Sequence, residues 1–397
     1  MARRLIALDL PGGPDFVAAL QRAFDDGDAI VPIDQRLPSP ARQHLIEQLR
    51  PEIIVTPDGP VAAGSPGRPV ADGDAVVIAT SGTTGAPRGV VLTHGAIEAS
   101  AAASSRRLGV TDDDVWLACL PLSHVGGLSV VTRAISCGQR LIVHPRFDAE
   151  AAEASGATLV SLVATALGRI NAGLFRRILL GGGPAPQDRP TNCVMTYGMT
   201  ETASGVVYDG VALDGVEIRT RERGLSEILI RAPMLLRAYR GPDDDIAPPL
   251  EDGWFPTSDL GTIDDGGRLS VAGRAGDLII TGGENVWPEA VERVLVDIVG
   301  IADLAIGATA DPEWGQAVTA YVVPDPSHTG PAITVADLRA RVREHLPAFC
   351  APRRLVHVDT IPRTALGKIQ RTRLTSTGRS DPHSGRANPG SSADSSP

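Results

Sequence analysis

A loop rich in hydroxyl side chains and glycine is the segment whose residue types most directly indicate chemistry. Its members are Thr80, Ser81, Gly82, Thr83, Thr84 and Gly85, with Arg88 shortly after them. Glycine permits positive φ, and successive backbone N–H groups in such a loop can enclose an anion. The spacing is not that of a GxxxxGK[ST] loop. We therefore predict a polyphosphate site of another type, with an ordinary surface loop as the alternative.

The segments that must position this loop predict an α/β fold. Short apolar runs occur at 75–79, 114–120, 140–144, 177–180 and 193–197. Helical stretches rich in small residues separate them, at 95–107 and 126–136, and Asp148 should cap another helix over 149–154. Strands that alternate with helices favour a mainly parallel sheet.

The pattern changes twice towards the C-terminus. After about residue 211, short segments between Gly and Asp turns favour an antiparallel β subdomain. From residue 277 a small α+β unit is expected, with a helix that Pro288 opens and a second one that Thr334 and Asp337 cap. Residues 376–397 contain almost nothing apolar and should be disordered.

Composition excludes several classes of protein. The chain has 397 residues and a formal net charge of −10, which gives no electrostatic basis for binding nucleic acid or an anionic membrane. We find no apolar run long enough to span a bilayer and no secretory signal, so stable membrane insertion is not expected. The cysteines, Cys119, Cys137, Cys193 and Cys350, form no CxxC pair. They indicate reduced thiols and a cytoplasmic protein.

Together with the loop, further motifs resemble those of the acyl-adenylating superfamily, which contains acyl-CoA synthetases, adenylation domains and luciferases. They lie in the family's order at 181–184, 197–202, 253–259, 273–277, 282–285 and 362–368. The resemblance implies a large domain over 1–273, with its β subdomain at about 211–273. It further implies a hinge at 274–276 and a small mobile domain over 277–375. ATP, Mg²⁺ and CoA are the implied small molecules.

The resemblance also implies a role for each motif. In this family a carboxylate attacks the α-phosphorus of ATP, so cations and oriented dipoles must offset the charge of two approaching anions. Glu201 is the implied Mg²⁺ ligand, Thr200 would contact the α-phosphate, and Asp259 would accept hydrogen bonds from the ribose. The remaining implied nucleotide contacts are Gly181, Gly182, Gly183, Tyr197, Gly198, Met199 and Arg274. Each of these side chains, alone, could be an ordinary surface or core residue.

The small domain carries the implied second half of the cycle. Lys368 would bridge the carboxylate and the α-phosphate during adenylation only. Gly276 would be the hinge about which the small domain rotates before the thiol attacks. The implied CoA-binding loop is Gly282, Gly283, Glu284 and Asn285.

Two residues bear on the identity of the acid. His124 lies at the point where the family places a residue that lines the acid pocket and the thiol entrance. Arg133 follows on a predicted helix, where synthetases of o-succinylbenzoyl-CoA in menaquinone biosynthesis place a basic residue facing the second carboxylate. Segments 8–14, 31–38 and 205–216 resemble that branch as well. We therefore expect o-succinylbenzoate as the acid; a core histidine and a solvated arginine are the ordinary readings.

Some alternatives stay open at this point. The acid could be another aryl or fatty acid, or the acceptor could be a carrier protein. A nucleotide-binding module without catalysis is a third possibility, which the presence of Glu201, Asp259, Arg274 and Lys368 opposes. Arg88 stands where relatives usually have Lys, and Gly276 where they have Asp or Lys. A homodimer is common among relatives, but the sequence shows no interface signature.

Replacing Lys368 with Ala should separate the two half-reactions. Adenylate formation should be abolished, because the cation between the two anions is gone. Thioester formation from preformed acyl-adenylate should be largely retained. Single-turnover assays of each half-reaction test this, and equal loss in both would contradict the division of labour.

Overall fold

The computed structural model describes residues 3–64, 66–81, 87–183, 188–363 and 369–376. These residues form two compact units, within 1–272 and 273–397. The predicted disordered tail lies outside the described residues apart from Ser376.

The first part of the large unit alternates strands and helices. Its elements are β1 Leu5–Leu8, α1 Pro14–Asp25, β2 Ala29–Pro32, α2 Ser39–Leu49, β3 Ile53–Thr56, β4 Gly59–Ala62, β5 Asp74–Ser81, β6 Pro87–Thr93 and α3 His94–Leu108. The second part repeats the alternation with β7 Val115–Ala118, α4 Val125–Ser136, β8 Arg140–Val143, α5 Ala149–Ala154, β9 Leu159–Leu162, α6 Ala164–Leu167, β10 Arg177–Leu180, β11 Cys193–Met199, β12 Ser204–Tyr208 and β13 Val211–Ala212.

Short strands complete the large unit. They are β14 Glu217–Thr220, β15 Ser226–Arg231, β16 Ala238–Arg240, β17 Asp245–Ile246, β18 Phe255–Ile263 and β19 Leu269–Arg274. The small unit contains β20 Ile279–Thr281, β21 Glu284–Val286, α7 Pro288–Leu295, β22 Ile301–Asp311, β23 Gly315–Pro324, α8 Val335–Arg343 and β24 Arg354–His357.

The large unit holds two α/β sheets and a smaller β sheet. The orders are β17-β16-β6-β5-β2-β1-β3-β4, then β13-β12-β11-β10-β9-β7-β8, then β14-β15-β18-β19. In the second sheet β7 to β11 are parallel, whereas β12 and β13 are antiparallel. The α/β prediction is confirmed.

The first sheet is more mixed than the sequence suggested. Its strands β5 and β6 pair antiparallel, and β16 adds antiparallel to β6. Residues 238–246, which the sequence grouped with the β subdomain, therefore extend this sheet instead. An ionic contact fixes them there, because Arg237 donates to both carboxylate oxygens of the buried Asp74 at 2.6 and 2.7 Å.

The small unit has the sheet order β21-β20-β23-β22, with β24 parallel to β23. Helix α7 begins at Pro288, and Thr334 caps α8 through reciprocal hydrogen bonds with Asp337, both as predicted. Across the described residues of both units, no helix is long and apolar enough to cross a membrane.

A buried carboxylate joins the starts of β7 and β10. Asp114 is 2% exposed, and it accepts hydrogen bonds from Arg176, Thr158 and the Thr111 backbone. Burial alone would raise the pKa of Asp114, but these hydrogen bonds outweigh it and hold the pKa at about 2.

Asp114→Asn should therefore lower the free energy of unfolding of the large unit at neutral pH by about 2 kcal/mol. Because the folded pKa is depressed, the stabilisation is present above the unfolded value of 3.8 and is lost as pH falls through about 2. Urea unfolding at a series of pH values should show the difference from wild type shrinking below about pH 4. A difference independent of pH would mean that Asp114 acts only through packing.

Candidate functional site

The strands that flank the predicted phosphate loop are in register. Thr80 pairs with Arg88 across β5 and β6, and the Thr80 hydroxyl donates to the Arg88 carbonyl at 3.4 Å. Residues Gly82, Thr83, Thr84 and Gly85 lie outside the described residues, as does the Ser81 side chain. The structure thus gives the base of the loop and places the Arg88 backbone on β6.

The motif at 197–202 lies where β11 ends and the backbone turns sharply. Ala203 and Ser204 follow the turn with φ of 52° and 132°, which non-glycine residues seldom adopt. Strands β11 and β12 come so close that a Cβ on Gly198 would lie 2.0 Å from the Ser204 carbonyl oxygen. The fully buried Thr202 donates to the Ser204 carbonyl at 2.7 Å and accepts from the Met199 N–H at 2.9 Å. The short helical turn Thr200–Thr202 is therefore held from within.

Glu201 is fixed at both its backbone and its side chain by one neighbouring segment. Its carbonyl accepts from the Leu236 N–H at 2.8 Å, and its Oε1 accepts from the Tyr239 hydroxyl at 3.2 Å. Burial and the Glu201 charge raise the pKa of Tyr239, while the Arg88 charge opposes the rise. Sequence reasoning missed Tyr239, since the only signal was a lone tyrosine on a short strand.

Asp259 meets the same motif from a distant part of the chain. Its Oδ2 accepts from the Tyr197 hydroxyl at 2.9 Å, between residues separated by 62 positions. Asp259 is 8% exposed, and its N–H donates to the Thr257 hydroxyl. The adjacent Ser258 has φ of 59°. Two motifs read separately from the sequence therefore form one cluster.

The glycines at 181–183 follow β10, next to β11. A Cβ on Gly181 would lie 2.9 Å from the Thr196 hydroxyl, and Gly182 has a φ of +82°. Gly183 is exposed. These residues leave the backbone uncovered beside the 197–202 motif, as a flat ligand ring requires.

His124 contacts an ion pair that the sequence reasoning had not assigned to the site. Arg36 donates to both carboxylate oxygens of Asp34 at 2.9 and 2.7 Å, and its Nη2 lies 3.0 Å from His124 Nε2. Burial lowers the pKa of His124, with Arg36 adding to the effect and Asp34 opposing it. Burial also acts on Asp34, but the Arg36 hydrogen bonds prevail and hold the pKa of Asp34 at about 2. His124 is thus a neutral ring at neutral pH, and its Nε2 faces both members of the ion pair, with Asp34 Oδ2 at 3.4 Å.

Arg133 is buried on α4 with only 2% of its surface exposed. Its Nε donates to the Ser104 hydroxyl at 2.8 Å, and its guanidinium lies 4.8 Å from the ring centre of Trp116. Its Nη1 is buried without a hydrogen-bond partner among the described residues, a carboxylate included.

A small cavity, partly open to solvent, lies beside this guanidinium. Apolar side chains of β5, β6, α3 and α4 line it together with Ser100, Ser129, Thr132 and Arg133. Ala203, just after the Thr200–Thr202 turn, also lines it. The cavity therefore joins the Glu201 motif to a buried cation.

The small unit begins at residue 273, within β19. Arg274 ends that strand, and Gly276 lies in the short helical turn Ala275–Asp277. Gly282 and Gly283 have φ of +60° and +84° between β20 and β21, and a Cβ on Gly282 would lie 2.5 Å from the Trp314 ring. Glu284 and Asn285 are exposed on β21. Lys368 lies outside the described residues, although its flanks, Arg363 and Ile369, pair as a β-bridge.

The donor set around Glu201 can be compared with what Mg²⁺ requires. The described residues contain no group of three or more His, Cys, Asp or Glu side chains able to hold a metal ion. Mg²⁺ is commonly held by one or two carboxylates plus substrate phosphates and water. Glu201 uses Oε1 for Tyr239, and its Oε2 accepts no hydrogen bond within the described chain. One carboxylate oxygen of Glu201 is therefore available near β5 and β6, the strands that flank the predicted phosphate loop. This arrangement fits a cation that binds together with ATP.

Comparison with known proteins gives the class of protein first. Residues 62–226 match the family model described as AMP-binding enzyme, and residues 290–368 match the AMP-binding enzyme C-terminal domain. A 2-succinylbenzoate–CoA ligase from Bacillus anthracis is 35% identical over 336 residues, which are 75% of this chain and 69% of that protein. The chain belongs to the family of AMP-binding enzymes.

Its branch within the family follows from the same relatives. A second 2-succinylbenzoate–CoA ligase, from Bacillus mycoides, is 35% identical over 338 residues, again 75% of this chain and 69% of that protein. The o-succinylbenzoate CoA synthetase of Bacillus subtilis, solved with its acyl-adenylate, has a TM-score of 0.83 and 28% identity over 95% of this chain and 90% of that one. The prediction of an AMP-forming acyl-CoA ligase related to these enzymes is confirmed.

Gly198→Ala should disrupt the turn that presents Glu201. The new Cβ would meet backbone atoms of Ser204 and Gly205, which cannot move aside as a side chain can. We expect a loss of stability of about 3 kcal/mol or more. Thermal unfolding measures it, with Gly168→Ala as control because a Cβ there meets nothing within 4 Å. Equal melting temperatures for the two variants would contradict the geometry.

Proposed function

We propose that the protein is an o-succinylbenzoate–CoA ligase that works in two steps. A carboxylate oxygen of the acid attacks the α-phosphorus of ATP, and pyrophosphate leaves with the electron pair of the broken P–O bond. The sulfur of CoA then attacks the acyl carbon, the bond to the phosphate oxygen breaks, and AMP leaves as the thiol proton is released. The observation that carries the choice of acid is the buried, unpaired Arg133.

The first step must bring two anions together. We assign charge compensation to Arg88 at the phosphate loop and a hydrogen bond to the α-phosphate to Thr200. Glu201 would hold Mg²⁺, which when bound neutralises charge on the phosphate oxygens. The Bacillus subtilis synthetase has been solved with ATP and a magnesium ion, at 27% identity, a TM-score of 0.79, and coverage of 94% of this chain and 90% of that one.

The nucleoside would lie across the Tyr197–Asp259 cluster. Asp259 accepts a hydrogen bond from Tyr197 at Oδ2, and a carboxylate has about four lone-pair sites, so it would accept hydrogen bonds from ribose hydroxyls as well. The uncovered backbone of Gly181 to Gly183 suits the adenine face, beside Gly198 and Met199. Arg274 is proposed to contact ribose or phosphate oxygens.

The acid pocket is the cavity between α3, α4 and strands β5 and β6. In this conformation the cavity has room for about one water molecule, so it must widen to admit the acid, and its walls are mostly apolar. A buried charge without a counterion is costly, so an anion that binds beside Arg133 would be stabilised. The second carboxylate of o-succinylbenzoate would be that anion, while its reacting carboxylate lies towards Ala203 and Glu201. Arg36, by contrast, is already compensated by Asp34.

The second step is assigned to the small unit and to His124. Lys368 would act in adenylation, Gly276 would permit the change between steps, and the loop Gly282 to Asn285 would contact CoA. Neutral His124, positioned by Arg36, would line the thiol entrance. There it would shape the passage and offer a ring nitrogen for hydrogen bonding. Cytoplasmic location and a homodimer remain proposals, which cell fractionation and analytical ultracentrifugation can measure.

The test of the function follows both products together. The protein is mixed with ATP, Mg²⁺, CoA and o-succinylbenzoate, and pyrophosphate and thioester are measured beside benzoate, a medium-chain fatty acid and a blank. We expect both products with o-succinylbenzoate alone. Pyrophosphate with another acid only would overturn the assignment of the acid, and pyrophosphate without thioester would overturn CoA as acceptor.

Arg133→Met should remove recognition of the second carboxylate while keeping the side-chain volume. The loss of a charged hydrogen bond, about 1.5–3 kcal/mol, should raise the KM for o-succinylbenzoate by about 10- to 100-fold. The analogue 4-oxo-4-phenylbutanoate lacks the ring carboxylate, so its KM should change little. Arg106→Met, on the exposed side of α3, is the matched control. If Arg133→Met prefers the dicarboxylate as strongly as wild type does, Arg133 does not contact the acid in the pocket.

A further inference from the structure

Tyr239 touches the residue assigned to the metal without belonging to any motif read from the sequence. Its hydroxyl donates to Glu201 Oε1 at 3.2 Å. Three residues earlier, the N–H of the buried Leu236 donates to the Glu201 carbonyl at 2.8 Å. One short segment therefore holds both ends of the same glutamate.

The position of Tyr239 is fixed by its strand. In the β16–β6 ladder Tyr239 pairs with Val90 and Arg240 with Gly89, next to Arg88. A Cβ at Gly89 would lie 2.4 Å from a methyl of Val77 on β5 and 2.9 Å from a methyl of Leu49 on α2, so glycine at this position lets β6 pack closely against both. Tyr239 thus lies on the strand paired with β6, which carries Arg88, the predicted phosphate-binding cation.

Buried ionic contacts anchor the strand on both sides of the tyrosine. Arg237 binds both oxygens of Asp74 and reaches Asp245 at 2.6 Å. Arg240 is 1% exposed and donates to the carbonyls of Leu49 at 2.8 Å and Pro69 at 3.0 Å, and to that of Arg68. These contacts prevent β16 from shifting along β6, so the Tyr239 hydroxyl is held at a fixed position along the strand.

We propose that Tyr239 is the positioning residue for the metal-binding carboxylate: by occupying Oε1 of Glu201 it directs Oε2 towards the divalent cation that accompanies ATP. This rests on the proposed function, in which Glu201 is the metal ligand. Hydrogen bonds that orient a ligating carboxylate commonly raise metal affinity, and losing one costs about 10- to 100-fold. Tyr239 would touch neither substrate nor metal.

The experiment measures metal binding directly, apart from turnover. Mn²⁺ binding to the full-length protein, saturated with α,β-methylene-ATP, is followed by electron paramagnetic resonance for wild type, Tyr239→Phe, Glu201→Gln and the double variant. Phenylalanine keeps the ring and deletes only the hydroxyl. Tyr321→Phe is the matched control, because it makes the same deletion at a buried tyrosine of the small unit. Metal-free binding of the nucleotide analogue checks that each variant is folded.

Tyr239→Phe should weaken Mn²⁺ binding by about 10- to 100-fold with unchanged metal-free nucleotide affinity. In the Glu201→Gln background the same change should have no further effect, since there is no carboxylate left to orient. An equal loss in both backgrounds, or unchanged Mn²⁺ affinity in Tyr239→Phe while Glu201→Gln weakens it, would overturn the proposal alone. Unchanged affinity in Glu201→Gln would instead overturn the metal ligand of the proposed function.

Discussion

The close approach of β11 and β12 is the constraint on which the site of the large unit depends. Gly198 lets the Ser204 carbonyl come so near that no other residue fits, and the chain between them must turn within a few residues. The Thr202 hydroxyl then forms hydrogen bonds with backbone groups on both sides of the turn. Because this turn is rigid, Tyr197 can meet Asp259 on one side and Glu201 can meet Tyr239 on the other. Positive φ at Ala203 and Ser204 is strain that the surrounding strands must hold in place.

The arginines of the large unit differ in whether the protein itself offsets their charge. Arg237 and Arg176 bind buried carboxylates, and Arg240 is enclosed by backbone carbonyls. Burial lowers the pKa of Arg240 to about 10, which shows how strongly that interior disfavours charge. Arg133 lies in an equally buried place with a hydroxyl and an aromatic face as its contacts. The proposed role of Arg133 gives this guanidinium an anion, because the second carboxylate of the acid would lie beside it.

Much of this fold could be predicted from the sequence because local signals and tertiary packing agree. The helices at Pro288 and Thr334 form where the proline and the capping box indicate, and the Asp148 cap is likewise observed. What failed was strand partnership: β16 joins β6 across more than a hundred residues, and nothing local to residues 238–240 records that. The motifs were visible as residue types, but Tyr239 lies in a segment without a motif, and the resemblance of segment 31–38 assigned no contact to Arg36. Their contacts depend on strand register and on burial, which cannot be read from a single sequence.

The indole beneath Arg133 has a consequence for how the pocket can be observed. Trp116 is fully buried, donates to Gln139 at 2.8 Å, and has the guanidinium over its ring. The emission of an indole responds to the electric field across it, and the Arg133 guanidinium lies 4.8 Å from the ring centre. An anion bound to Arg133 would change that field without touching the ring. An acid in the proposed pocket would therefore alter the emission of Trp116, which gives a label-free measure of acid binding.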